Sequence, residues 1–129
     1  SPQFELLQKV KTPMDEEEVA CAASGLRISP SGKYLYCSTA GENSAGIFKI
    51  DQETGLLTKI CILPISGKYP KDVAVFPDEK TMVVLNHESN EIRFFHIDYE
   101  KGLIVMKGRP IKIETPNCIL INKVGDFKE

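Results

Sequence analysis

Residues 26–56 read LRISPSGKYLYCSTAGENSAGIFKIDQETGL, and residues 73–103 read VAVFPDEKTMVVLNHESNEIRFFHIDYEKGL. The two stretches align without a gap at an offset of 47 positions. Pro30 meets Pro77, Lys33 meets Lys80, Asn43 meets Asn90, Phe48 meets Phe95 and Ile50 meets Ile97. Asp51, Glu53, Gly55 and Leu56 likewise meet Asp98, Glu100, Gly102 and Leu103. The matches fall at turn residues and at apolar positions, where a repeated shape demands them. A repeat of about 40 to 50 residues, each unit made of several short strands, is the mark of a β-propeller blade. The fold class expected is all-β.

Each unit divides into four strands. In the first, residues 25–29 form a short strand nearest the propeller axis, and Pro30-Ser31-Gly32 makes a turn in which proline presets φ and glycine accepts a positive one. Strands follow at 34–38, 46–50 and 56–65, the last interrupted near Pro64, which has no N–H for a ladder. The second unit repeats the plan at 73–76, 81–85, 92–97 and 103–113. The blades therefore span 25–65 and 72–113. Residues 1–13 resemble the end of each unit, so 4–12 is expected to be the last strand of a preceding blade. Residues 118–121 are expected to be the inner strand of a closing blade, followed by a frayed polar tail. Residues 14–19, MDEEEV, read as a solvated acidic loop.

A propeller protects its sheet edges by closing a ring, which two blades and two spare strands do not achieve. Uncovered apolar faces result, and they call for either the remaining blades of a longer chain or self-association. The composition narrows the partners. The chain has 129 residues with a net charge of −2, which gives no electrostatic case for nucleic acid or an anionic membrane. No apolar run reaches transmembrane length, and the first residues lack a signal-peptide core. Cys21, Cys37, Cys61 and Cys118 form no CxxC pair, which argues against a zinc site and for free thiols in the cytoplasm. Cys37 and Cys118, on apolar strands, are expected to pack as small hydrophobes.

The run G-L-R-I-S-P-S-G-K-Y-L-Y at 25–36, followed by A-G-E-N-S and I-F-K-I-D, resembles the lactonase family of β-propellers. Y-P-K-D at 69–72, F-P-D-E-K at 76–80 and T-P-N-C-I-L-I at 115–121 are similar to its last two blades and final strand. The resemblance implies a seven-bladed propeller of which this chain is the C-terminal third. It also implies hydrolysis of a sugar lactone such as 6-phosphogluconolactone, without metal or organic cofactor. The chain departs from the family pattern in places. Gly25 stands where many members have Glu, Thr39-Ala40-Gly41-Glu42 where many have N-R-G-H, and Lys71 where many have Arg. A non-catalytic propeller that binds a ligand or a protein is the rival reading.

A lactonase needs an anion site, a base for water and a donor for the developing oxyanion. Loops entering the inner strands share an end of the ring with loops joining second and third strands, which groups Lys71 and Asp72 with His87 and Glu88. Lys71 is the candidate anion holder, with Arg27 assisting from the channel and Asp72 beside them as substrate-binding residues. His87 is the candidate base, with Glu88 orienting it or competing for the role. The bland readings are a surface ion pair for Lys71 and Asp72, strand carbonyls for Arg27 and a turn residue for His87. Asn43 and Asn90 read as loop-shaping residues, and His96 as a solvent-facing strand residue.

Overall fold

The turns of the two units set their shape. Ser29 N–H donates to Tyr34 O at 2.8 Å and Gly32 N–H to Ser29 O at 2.9 Å, with Gly32 at φ 75°. In the second unit Phe76 N–H donates to Thr81 O at 2.9 Å and Glu79 N–H to Phe76 O at 2.8 Å. Glu79 there takes the left-handed place of Gly32, at φ 58°. The Asp51 carboxylate caps its own turn by accepting the N–H groups of Glu53 and Thr54, and Asp98 does the same for Lys101.

The computed structural model describes residues 3–14 and 21–125. The strands among them are β1 (Ala22–Ile28), β2 (Tyr34–Ala40), β3 (Ser44–Ile50), β4 (Leu57–Pro64), β5 (Pro70–Val75), β6 (Thr81–Asn86), β7 (Glu91–Asp98), β8 (Leu103–Met106) and β9 (Ile111–Lys112). The first four form an antiparallel sheet in sequence order. The second sheet runs β5-β6-β7-β8, with β9 also on β7. The two meanders are the two repeats read in the sequence. No helix among the described residues is long and apolar enough to cross a membrane.

The core lies between the sheets. Tyr36, Ala45, Ile47 and Cys61 of the first, with Ile65 just after β4, pack on Val73, Val75, Met82, Val84, Phe95 and Ile97 of the second. Ile47 and Met82 are wholly buried, worth roughly 1.5–3 kcal/mol each. At the turn end, the Tyr99 hydroxyl donates to Glu79 O at 2.5 Å and lies 2.6 Å from the Tyr36 hydroxyl. Burial pushes the Tyr99 pKa up to about 12, so both phenols stay protonated and Tyr36 is the donor to Tyr99. The Ser31 hydroxyl adds a 2.6 Å bond to the Glu79 carboxylate, joining the equivalent turns of the two sheets.

Three strand assignments need correction. Residues 4–12 carry no strand, since they join no ladder among the described residues. The segment still docks through Gln8, whose amide donates to Leu57 O and accepts from Leu57 N–H, as a neighbouring backbone would. The expected strand at 103–113 is split into β8 and β9 around Gly108, at φ 68°, and Pro110, which cannot donate. Residues 118–121 form no ladder and run beside β1 and β5, held by side chains. Cys118 is exposed, against the expectation of burial, because its segment is not sandwiched in a sheet. Cys37 and Cys61 are buried, and His96 is exposed. The acidic residues 15–19 and the tail residues 126–129 lie outside the described residues.

Candidate active site

The inner strands meet where glycine lets them. A Cβ on Gly25 would lie 2.8 Å from Ser38 Oγ and 2.9 Å from Asp72 Cα, so β1 approaches β5 only without a side chain there. Both strands carry a bulge at the same place in the repeat, at Ser24 and at Lys71. A bulge leaves its extra residue out of the ladder and re-aims it. Ser24 uses this freedom to donate to Pro70 O across the seam.

Arg27 and Asp72 come together. Arg27 Nη2 lies 2.7 Å from Asp72 Oδ2 and 3.1 Å from Ile119 O. The same carboxylate oxygen accepts Ile119 N–H at 3.0 Å, while Oδ1 accepts Val73 N–H at 2.9 Å. Asp72 is buried and committed to these bonds, whereas the Arg27 side chain is 39% exposed and lines a cavity of about 160 Å³ with Ala74, Ile119 and Ile121. The bland alternative of a Lys71–Asp72 surface ion pair is not what forms among the described residues: Asp72 pairs with Arg27, and Lys71 is the bulge residue. Lys71 Nζ stands 5.9 Å from the centroid of the Tyr69 ring.

His87 sits at the head of the β6–β7 loop, its N–H donating to Tyr69 O at 2.9 Å. Its ring lies 6.2 Å from that of Tyr69, tilted by 59°. Nδ1 is 3.2 Å from Pro116 O. A carbonyl only accepts, so Nδ1 carries the proton and the Nε2 lone pair is left free. The segment 115–119 thus touches His87 at one end and the Arg27–Asp72 pair at the other. Glu88 is exposed and takes part through its N–H, which donates to Lys68 O at 3.2 Å; no hydrogen bond joins its carboxylate to His87 among the described residues. No three His, Cys, Asp or Glu side chains among the described residues converge as metal ligands do.

Asn43 and Asn90 shape loops, as expected, by the same device in each repeat. Asn43 O accepts Ile65 N–H and its Oδ1 accepts Tyr69 N–H at 2.9 Å; Asn90 does the same for Ile113 and Thr115, also at 2.9 Å. Both asparagines have positive φ, 60° and 53°. Tyr69, which lies beside His87 and Lys71, was not singled out in the sequence. The available signal was its register position, where the sister repeat has Thr115.

A family model for the seven-bladed β-propeller lactonases matches residues 1–121. The chain belongs to the lactonase family. A 6-phosphogluconolactonase of Formosa agariphila is 38% identical over 82 residues, covering 62% of this chain and 23% of that protein. One from Bacillus subtilis is 23% identical over 117 residues, covering 91% and 34%. Among solved structures, a periplasmic gluconolactonase of Pseudomonas aeruginosa matches with a TM-score of 0.79 at 21% identity, over 87% of this chain and 31% of that one. The chain thus spans about a quarter to a third of the length of these lactonase relatives.

At two of its departures from the lactonase pattern the chain has found other uses for the position. Gly25 forms the seam just described. Glu42 turns to the N-terminal segment, its two carboxylate oxygens accepting Met14 N–H at 2.7 and 2.8 Å.

Proposed function

We propose that this chain supplies part of the active site of a hydrolase that opens a sugar lactone such as 6-phosphogluconolactone. The observation that carries the reading is the His87 bond to Pro116 O, which leaves Nε2 able to accept a proton from water. In the proposed step, water attacks the lactone carbonyl as Nε2 takes its proton. The tetrahedral intermediate then expels the ring oxygen, to which Nε2–H returns the proton, and the new acid ionises. Lys71 holds the anionic substituent. Arg27, oriented by Asp72, offers its remaining N–H groups to the substrate, and Glu88 competes with His87 for the role of base. The step calls on no metal or organic cofactor.

In this reading 25–65 and 72–113 are two full blades, 118–121 lines the inner edge of a closing blade, and the other blades come from outside this sequence. We place the protein in the cytoplasm, a setting supported by four free cysteines, two of them buried. The test is proton release from 6-phosphogluconolactone by the full-length protein at fixed pH. His87→Gln is expected to lower kcat by about 100-fold or more. A full-length protein no faster than the spontaneous reaction would defeat the proposal. A second reading, a propeller that binds without catalysis, is favoured by Gly25: the close approach of Asp72 excludes the acidic side chain that many members carry there.

A further inference from the structure

The two repeats offer an internal control on Tyr69. Its backbone is left-handed, at φ 57°, which costs a non-glycine residue free energy and points to function only if the fold does not require it. The fold does require the backbone. Thr115 holds the same place in the sister repeat with φ 43°, its N–H gripped by Asn90 as Tyr69's is by Asn43. The clamp therefore accounts for the conformation, and a threonine serves it equally well. It does not account for an aromatic ring.

That ring is not spent on packing either. Tyr69 is 39% exposed and lines a cavity of about 330 Å³ together with Cys21, Ala22, Ala40 and Gly41. The lining is small and mostly apolar, so the one large surface the cavity offers a ligand is the Tyr69 ring. Lys71 stands near that ring, within reach of a cation–π contact, and the His87 ring flanks it. The tyrosine backbone is held at two points, its N–H by Asn43 and its C=O by His87 N–H, and its ring has Lys71 Nζ at 5.9 Å and the His87 ring at 6.2 Å. A rigid aromatic ring beside a cation suits a ligand with a flat apolar face and an anionic group at its rim.

We infer that Tyr69 is the stacking platform for the ring of the substrate, and that Lys71, over the same tyrosine ring, selects substrates carrying an anionic substituent. The inference rests on the lactonase reading and deepens it by naming the residue that holds the substrate ring.

The experiment uses the full-length protein and two probes. Glucose 6-phosphate, a ring with a phosphate that is not hydrolysed, reports binding by titration calorimetry. 6-Phosphogluconolactone and glucono-lactone report turnover. Tyr69→Phe is expected to bind glucose 6-phosphate within about twofold of the parent, and Tyr69→Thr about tenfold more weakly or worse. Tyr69→Thr copies the sister repeat, so the clamp and the fold survive, and an unchanged unfolding midpoint checks this. The same change is expected to raise KM for the phosphorylated lactone more than it lowers kcat. Lys71→Ala is expected to erase the preference for the phosphorylated over the plain lactone. Binding that depends on Tyr69 without turnover would overturn the hydrolase reading and leave the platform standing. Turnover with binding and KM indifferent to Tyr69→Thr, or no binding of the sugar phosphate by the parent, would overturn the platform.

Discussion

At the scale of single residues, Asn43 and Asn90 show how a side chain replaces a missing ladder. Each accepts the N–H of a residue in the connection that follows its own sheet. Asn43→Ala would leave the Tyr69 N–H without its partner and put a Cβ-branched-free but αL-averse residue at φ 60°. A loss of about 1–2 kcal/mol is expected in urea unfolding, with Asn43→Gly losing less because glycine accepts the conformation. Glu91 gives a pH dependence. It is buried, and burial opposes its ionisation, but Arg93 at 2.6 Å and Lys112 at 3.4 Å outweigh that and hold its carboxyl below the ordinary carboxylate range. The lowered folded value means the unfolded chain binds the proton first. Its contribution is therefore full above the unfolded value of about 4.3 and is lost as pH falls through the folded one. Glu91→Gln is expected to make stability less dependent on pH below about 5, measured as urea midpoints from pH 6 to pH 3; an unchanged slope would contradict the pairing.

At the scale of elements, the seam between β1 and β5 is the sensitive one. Gly25→Ala must push the Asp72 backbone away, with an expected cost of about 1–3 kcal/mol and a weaker hold on Arg27. A midpoint within experimental error of the parent would show that the strands can part freely. The same seam shows what the sequence revealed and what it hid. Strands β2, β3, β6 and β7 were legible because proline and glycine turns bracket apolar runs that recur 47 residues later. Residues 103–113 and 118–121 misled because apolar content alone does not supply a partner, and ladder formation depends on what lies alongside. The site was half legible. Arg27 and Asp72 stood out by charge, but their bond to each other and to Ile119 joins residues far apart in sequence and needed the folded chain. Tyr69 was passed over because only its register against Thr115 of the sister repeat marks it, and that register shows once the connection between the repeats is aligned with one residue dropped.

At the scale of the whole molecule, β6 and most of β2 are buried on both faces, while apolar residues of other strands lie open. Val105, Met106 and Ile111 are exposed on the second sheet, as are Leu26 and Ile28 on β1. Apolar surface of that extent is unusual in a monomer. The chain expressed as this sequence alone is expected to bind a hydrophobic dye and to associate as its concentration rises, seen by light scattering. A well-folded monomer that binds no dye would mean the open faces are covered in some other way.

The asparagine clamp has a bearing on ancestry. Each module carries, in its own loop, the grip on whatever follows it, so a tandem copy of the gene segment arrives with its coupling already encoded. A protein of this kind can lengthen by duplication without inventing a new joint, and the surviving kinship between residues 26–56 and 73–103 is the trace such growth would leave.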